Sequence, residues 1–140
     1  GVAIYSTDGH WTVNFPEQHY ANGVAKNNGT LRRFKRVTRI FKRLRADMQT
    51  RGIFSVEVPS FLIECLVYAV EDSYFLVESD DAFDRVLRVA RRLKELLSTA
   101  TIPALTEINE IKSLFHYSQP WRPEIATAFV NAAIAHLGEG

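Results

Sequence analysis

The sequence predicts a mainly α-helical bundle lobe with a small β-hairpin at its N-terminus. Three observations predict it. Apolar residues recur at spacings of three and four through most of the chain, short β-prone runs stand near its start, and no repeat or low-complexity stretch interrupts the series. Its 140 residues are the length of one domain and suffice to bury a core. Apolar residues make up 46% and charged residues 24%, a composition that excludes a disordered chain. No apolar run approaches the roughly 20 residues that span a bilayer, and the N-terminus lacks the basic and apolar regions of a secretory leader. The single cysteine, Cys65, excludes an internal disulfide and reads as a small buried hydrophobe within Phe61-Leu62-Ile63-Glu64-Cys65-Leu66-Val67. A cytoplasmic protein is the expectation.

Each element has its own justification. Val2 to Tyr5 and Trp11 to Phe15 are the β-prone runs, around Ser6-Thr7-Asp8-Gly9, where Asp-Gly is a strong turn signal. Pro16 to Thr30 reads as a loop, with Asn22-Gly23 and Asn27-Asn28-Gly29 as breakers. Thr30 then reads as the N-cap of a long helix striped by Leu31, Phe34, Val37, Phe41, Leu44 and Met48. At about 100° per residue, Arg32, Arg36, Arg39 and Arg43 point away from that stripe, while Lys35 and Lys42 share its border. A border lysine can rest its stem on the core and reach its ammonium into an adjoining cleft.

Gly52 ends this helix, and Pro59 suits the first position of the next, which runs to residue 70 and is apolar nearly all round. Ser79-Asp80-Asp81 caps a third helix with Phe83, Val86, Leu87, Ala90, Leu93 and Leu97 on one side and Arg85, Arg88, Arg91 and Arg92 elsewhere. A shorter helix is expected over 104–116, then a loop at Ser118-Gln119-Pro120-Trp121. A final helix from Pro123 carries Ile125, Phe129, Ala133 and Leu137.

Charge is unevenly spread. The net charge is +1, yet ten of the 17 Lys and Arg residues fall between Lys26 and Arg51, where Asp47 is the only acid. Thirteen of the 16 acids lie from Glu57 onward. This points to a localised electropositive face. The four histidines, His10, His19, His116 and His136, show no metal-ligand spacing, so a structural zinc site is not expected.

Val58-Pro59-Ser60-Phe61 opens the second helix. The first turn of a helix exposes unpaired N–H groups and the positive end of the dipole, which attract phosphate. Ser60 adds a hydroxyl there, Lys42 a mobile cation, and Phe61 a ring on which a base can stack. The plain alternative makes Ser60 a capping residue, Phe61 core and Lys42 a solvated charge.

Thr38-Arg39-Ile40-Phe41-Lys42-Arg43-Leu44 followed by Pro59-Ser60-Phe61-Leu62-Ile63-Glu64-Cys65-Leu66-Val67-Tyr68 resembles the helical lobe of nucleotidyltransferases related to oligoadenylate synthetase and cyclic GMP-AMP synthase. The match is closest to the bacterial CD-NTases of anti-phage signalling. Upstream, Asn14-Phe15-Pro16-Glu17-Gln18-His19, Asn22-Gly23-Val24-Ala25-Lys26-Asn27 and Arg33-Phe34-Lys35-Arg36 resemble the crossing from their catalytic lobe. Glu107 to Phe115 and Gln119-Pro120-Trp121 also follow the bacterial pattern. The resemblance implies that residues 1–29 are a β-hairpin left from a catalytic lobe plus the crossing, and that residues 30–140 form the C-terminal helical domain. It implies that Lys42 contacts the triphosphate of a nucleoside triphosphate, that Ser60 contacts its phosphates and that Phe61 stacks on its base. Lys35 and Lys26 are weaker candidates, left as surface or substrate-channel charges.

The departure from the family is equally specific. Such enzymes use a Gly-Ser loop, a pair of carboxylates and a third on a later strand to hold two Mg²⁺ ions. Asp8, in a turn, and Glu17, after Pro16, are the only acids near the N-terminal strands, and they form no paired set. The expectation is therefore the part of such an enzyme that follows the third carboxylate, whether a truncation, a proteolytic fragment or a split gene product. It has no catalytic residue of its own, its Mg²⁺ is bound outside this chain, and it is inactive without the missing catalytic lobe. Two other classes stay open. One is a nucleic-acid-binding module on the basic helix 31–45, which would track phosphates in a salt-dependent way. The other is a non-catalytic docking module that uses the hairpin face of Val2, Ile4, Trp11 and Val13.

Overall fold

The computed structural model describes residues 2–5, 11–78, 81–98 and 101–138, with side chains described from Phe15 onward. Strands β1 (Val2–Tyr5) and β2 (Trp11–Asn14) pair antiparallel, Val2 opposite Asn14 and Tyr5 opposite Trp11. The turn residues Ser6 to Gly9, the cap residues Ser79 and Asp80, and the side chains of Val2, Ile4, Trp11 and Val13 lie outside the described residues. Among the described residues the remaining named elements are helices.

Helix α1 (Pro16–Gly29) replaces the loop expected over residues 16–30. Pro16 occupies the first helical position, where its missing N–H costs nothing, and Glu17 and Lys26 complement the dipole at the two ends. The segment lacks an apolar stripe, so periodicity hides it; polar side chains tie it down instead. Asn22 donates to the Ile108 carbonyl (2.7 Å) and accepts from Gln18 Nε2 (2.8 Å). Lys26, expected at the surface or in a substrate channel, is buried. Its ammonium donates to Val70 O at 2.6 Å and Asp72 Oδ1 at 2.8 Å, and lies 5.2 Å from the ring centres of both Tyr68 and Phe75. A buried ammonium persists only with such partners.

The link from α1 to α2 (Arg33–Thr50) departs from a simple N-cap. Leu31 and Arg32 both take left-handed backbone (φ 56° and 65°), so the helix starts at Arg33 rather than directly after Thr30. Thr30 is fully buried; its hydroxyl accepts from Phe34 N (3.0 Å) and donates to Lys26 O (2.8 Å). Asn27 Oδ1 accepts from Lys35 N at 3.2 Å. Leu31, expected to begin the apolar stripe, is therefore turned out and 63% exposed. Phe34, Val37, Phe41 and Met48 are buried as expected. At the other end Gly52 (φ 70°) supplies the left-handed residue of a Schellman motif: Gly52 N donates to Gln49 O and Ile53 N to Met48 O.

Helix α3 (Ser60–Ala69) is the central element. Leu62, Ile63, Cys65, Leu66 and Val67 are buried, and Pro59 precedes the helix as its cap rather than opening it. Burial pushes the Cys65 thiol up to about 12, with nearby Glu107 and Glu64 adding to the effect of burial. A single turn, α4 (Ser73–Leu76), buries Phe75. Helix α5 (Ala82–Leu96) is capped by Asp81, whose carboxylate accepts from Phe83 N at 2.8 Å. Val86, Ala90, Leu93 and Leu97 are buried and Leu87 half-buried, whereas Phe83 sits beyond the core edge at 66% exposure.

The helix expected over 104–116 is absent. A 3₁₀ turn (Ile102–Ala104) leads into irregular chain with an antiparallel bridge between Thr106 and Ser113. The buried Glu107 carboxylate organises it, accepting from Asn109 Nδ2 at 2.8 Å and Gln119 Nε2 at 2.6 Å. Asn109 Oδ1 in turn accepts from the backbone of Ile111 and Lys112. Trp121, buried against the core, donates to Leu114 O at 2.7 Å. Helix α6 (Pro123–Gly138) closes the bundle against α2 and α5, burying Ala126, Phe129, Val130 and Ala133.

Ion pairs staple the outer surface. Asp47 on α2 meets His136 Nε2 of α6 at 2.8 Å, and this bond, with Arg51 assisting and burial opposing, holds its carboxyl below the usual range. Arg92 grips both oxygens of Glu71 (3.0 and 2.6 Å) and lowers that carboxyl likewise. A carboxyl depressed by folding contributes stability above its unfolded pKa, about 4, and loses it as pH falls through the folded value. Urea midpoints should therefore fall as the solution is acidified below about pH 4. The double variant Asp47→Asn, Glu71→Gln should show a shallower acid limb; an unchanged limb would remove these two groups from the account.

Candidate functional site

The α2–α3 seam holds the residues singled out from sequence. Lys42 projects from α2 towards α3, where Glu64 Oε2 lies 3.3 Å from its ammonium. One turn further along α2, Arg45 donates to Val58 O (2.5 Å) and to Ser60 Oγ (3.0 Å). Both Lys42 and Ser60 are thus partnered across the seam. Since the guanidinium can only donate, Ser60 Oγ is the acceptor in that bond and its own proton is free to point outward. Ser60 is exposed and opens α3, where first-turn N–H groups lack helical acceptors.

Lys42 lines a cleft of about 280 Å³ together with His19, Tyr20, Phe34, Lys35, Thr38, Arg39 and Glu64. Ser60 and Phe61 do not line it. Phe61 sits beside it: its ring stacks on His19 (5.4 Å between centres, 20° between planes) and leans on Trp121 (5.9 Å). It is 36% exposed, so its ring is neither core nor free. Cations from α2 line the cleft, the Phe61 aromatic cluster meets it at His19, and the Ser60 hydroxyl stands next to Phe61 at the start of α3, the groups that an anionic ligand with a flat ring requires.

Sequence reasoning missed three contributors. Arg45 was legible in principle, being one helical turn from Lys42 and so on a shared face. Arg39, assigned to solvent, lines the cleft beside Lys35. His19 was hidden, because a residue in a supposed loop has no assignable face. Among the described residues no three His, Cys, Asp or Glu side chains gather to hold a metal ion, so these residues do not fit a Mg²⁺ site. No described helix is long and apolar enough to cross a membrane.

Residues 21–138 match the cGAS/DncV-like nucleotidyltransferase C-terminal helical domain. The chain belongs to this family. As a CD-NTase helical lobe it is 37% identical over 138 residues to the cyclic dipyrimidine nucleotide synthase CdnE of Legionella pneumophila, covering 98% of this chain and 45% of that protein. Its fold superposes on the CdnE cyclic dinucleotide synthase of Elizabethkingia meningoseptica, solved with GTP and Apcpp, with a TM-score of 0.85 at 33% identity. That match covers 97% of this chain and 49% of the other. The Rhodothermus marinus CdnE c-UMP-AMP synthase, solved with Apcpp and Upnpp, gives 0.83 at 30% identity over 98% and 45%. The CD-NTase lobe described here thus spans about half the length of the relatives it matches.

Proposed function

We propose that this chain is the nucleotide-holding C-terminal portion of a Mg²⁺-dependent nucleotidyltransferase that makes cyclic or linear oligonucleotide second messengers in antiviral defence. The observation that carries the reading is the placement of Lys42 at a cleft shared with Lys35, Arg39 and Thr38, beside the His19–Phe61 stack. Lys42 takes the triphosphate of a nucleoside triphosphate. Ser60, its acceptor side held by Arg45, donates its proton to a phosphate oxygen. Phe61 supports the base. The relatives' names and the nucleotides in their structures support the substrate class.

In this reading the β1–β2 pair is the end of a catalytic lobe, residues 1–29 are that hairpin and the crossing, and residues 30–140 are the C-terminal helical domain. The crossing is then largely α1. Catalytic carboxylates and Mg²⁺ belong to the missing catalytic lobe, so the chain turns over no nucleotide alone. The enzyme works in the cytoplasm.

Saturation-transfer NMR with ATP, GTP, CTP and UTP tests the site. The chain should bind at least one of them, and Lys42→Ala and Phe61→Ala should each weaken binding about tenfold or more, stacking alone being worth about 1–3 kcal/mol per base. Absence of binding by the unaltered chain would shift the reading to a docking module. The nucleic-acid alternative has one supporting observation: Arg32, just before α2, and Lys35, Arg36, Arg39 and Arg43 along it are all exposed. It requires a loss spread evenly over those cations and a steep salt dependence, with no special part for Phe61.

A further inference from the structure

Among the described residues that line the cleft, Glu64 is the only carboxylate, set among Lys35, Arg39 and Lys42. An acid inside an anion-holding cleft opposes the ligand unless it has a separate task. Its contact with Lys42 indicates one. At 3.3 Å the pair is longer than the about 2.7–2.9 Å of a tight charge-assisted bond, and the two side chains are 33% and 34% exposed. The contact is loose and reached by water, so a phosphate oxygen can replace the carboxylate without leaving a buried charge unpaired. Glu64 also stands one helical turn beyond Ser60 on α3.

We infer that Glu64 is a displaceable counter-anion for Lys42: it competes with the ligand's phosphates and sets how readily a triphosphate or pyrophosphate is let go. The inference rests on the nucleotide reading of the cleft. When the ligand arrives, Lys42 exchanges the carboxylate for a phosphate oxygen and Glu64 turns to water. When the ligand leaves, the carboxylate returns, so the ammonium is paired at both ends of the exchange. The opposition grows with the number of phosphate charges and is nil for a bare nucleoside.

The experiment is a calorimetric titration of adenosine, AMP, ATP and inorganic tripolyphosphate into the unaltered chain, Glu64→Gln, Lys42→Ala and the double variant. Glu64→Gln should bind ATP and tripolyphosphate about three- to tenfold more tightly at low salt, AMP less so, and adenosine unchanged. The gain should disappear in the Lys42→Ala background. Glu64→Asp, whose shorter arm withdraws the carboxylate, should move in the same direction; circular dichroism confirms that each variant is folded. If Glu64 instead accepts a hydrogen bond from ribose or base, Glu64→Gln weakens adenosine and ATP alike, and that overturns the inference. A gain that persists without Lys42 overturns it too. ATP binding that Lys42→Ala leaves untouched brings down the nucleotide reading itself, a result distinct from either.

Discussion

Phe41→Ala should lower the unfolding free energy by about 3–5 kcal/mol, the range for deleting a fully buried phenyl ring. Phe41 has no exposed surface and meets Phe129 of α6 with ring centres 6.4 Å apart, while Phe54 meets the same Phe129 at 6.0 Å. The three rings join the middle of α2, the chain after its C-terminus and α6, so no single neighbour can move in to fill the void. Lost transfer energy and the cavity then add together. For a chain of this length the melting temperature should drop by roughly 10–20 °C. The residue adjoins Lys42, so loosening this cluster also loosens the base of the cleft. A drop of only a degree or two would show that α2 is held chiefly by its other contacts.

Glu107→Ala should cost about 2–5 kcal/mol: it removes two bonds to a carboxylate, leaving buried Asn109 Nδ2 without that acceptor and Gln119 Nε2 with only Ser113 O at 3.1 Å, where a buried donor left unmet costs about 1–3 kcal/mol. Both amides are buried, and water cannot replace the carboxylate without a cavity that admits it. Gln119 is two residues before Trp121, so the loss should appear in tryptophan fluorescence at denaturant concentrations below the main helical transition. Glu107→Gln should recover only part, since its amide turns a donor towards one of the two donors. An alanine variant that melts and fluoresces like the parent would show that segment 105–122 is held by Leu105, Leu114 and Trp121 alone.

These two sites show where sequence reasoning succeeds. Phe41 was legible because α2 sets apolar against charged residues at helical spacing, as α5 does, whereas α3 and α6 were legible as apolar series of helical length. Glu107 was illegible because it is a carboxylate whose partners are neutral amides, a pattern with no period. The residues from 104 to 116 contain enough apolar side chains to suggest a helix, but the Glu107–Asn109–Gln119 network offers the backbone a better set of partners. Helix α1 failed in the opposite direction. Its Asn and Gly residues carry turn propensity, yet the Asn22 side chain reaches Ile108 across the fold and that of Asn27 accepts from Lys35 N in the next helix. In α1 turn propensity loses to a long-range bond, and over 104–116 helix propensity loses to side-chain bonds close in sequence.

The candidate site was legible as residue types but not as pairings. Lys42, Ser60 and Phe61 could be named from their places on helices. That Lys42 faces Glu64, that Arg45 holds Ser60, and that His19 covers Phe61 depends on how α1, α2 and α3 lie against one another, which spacing within one helix does not specify.

The two left-handed residues between α1 and α2 have a mechanical meaning. Leu31 and Arg32 adopt a backbone that costs a side-chain-bearing residue roughly 1–2 kcal/mol each, and the Thr30 and Asn27 bonds on either side hold them there. A glycine pair would swivel at this point; this elbow is braced. Helices α1 and α2 must therefore swing as one bent lever. That shared swing would carry His19 and Lys42 through the same arc and keep the aromatic and cationic walls of the cleft in register.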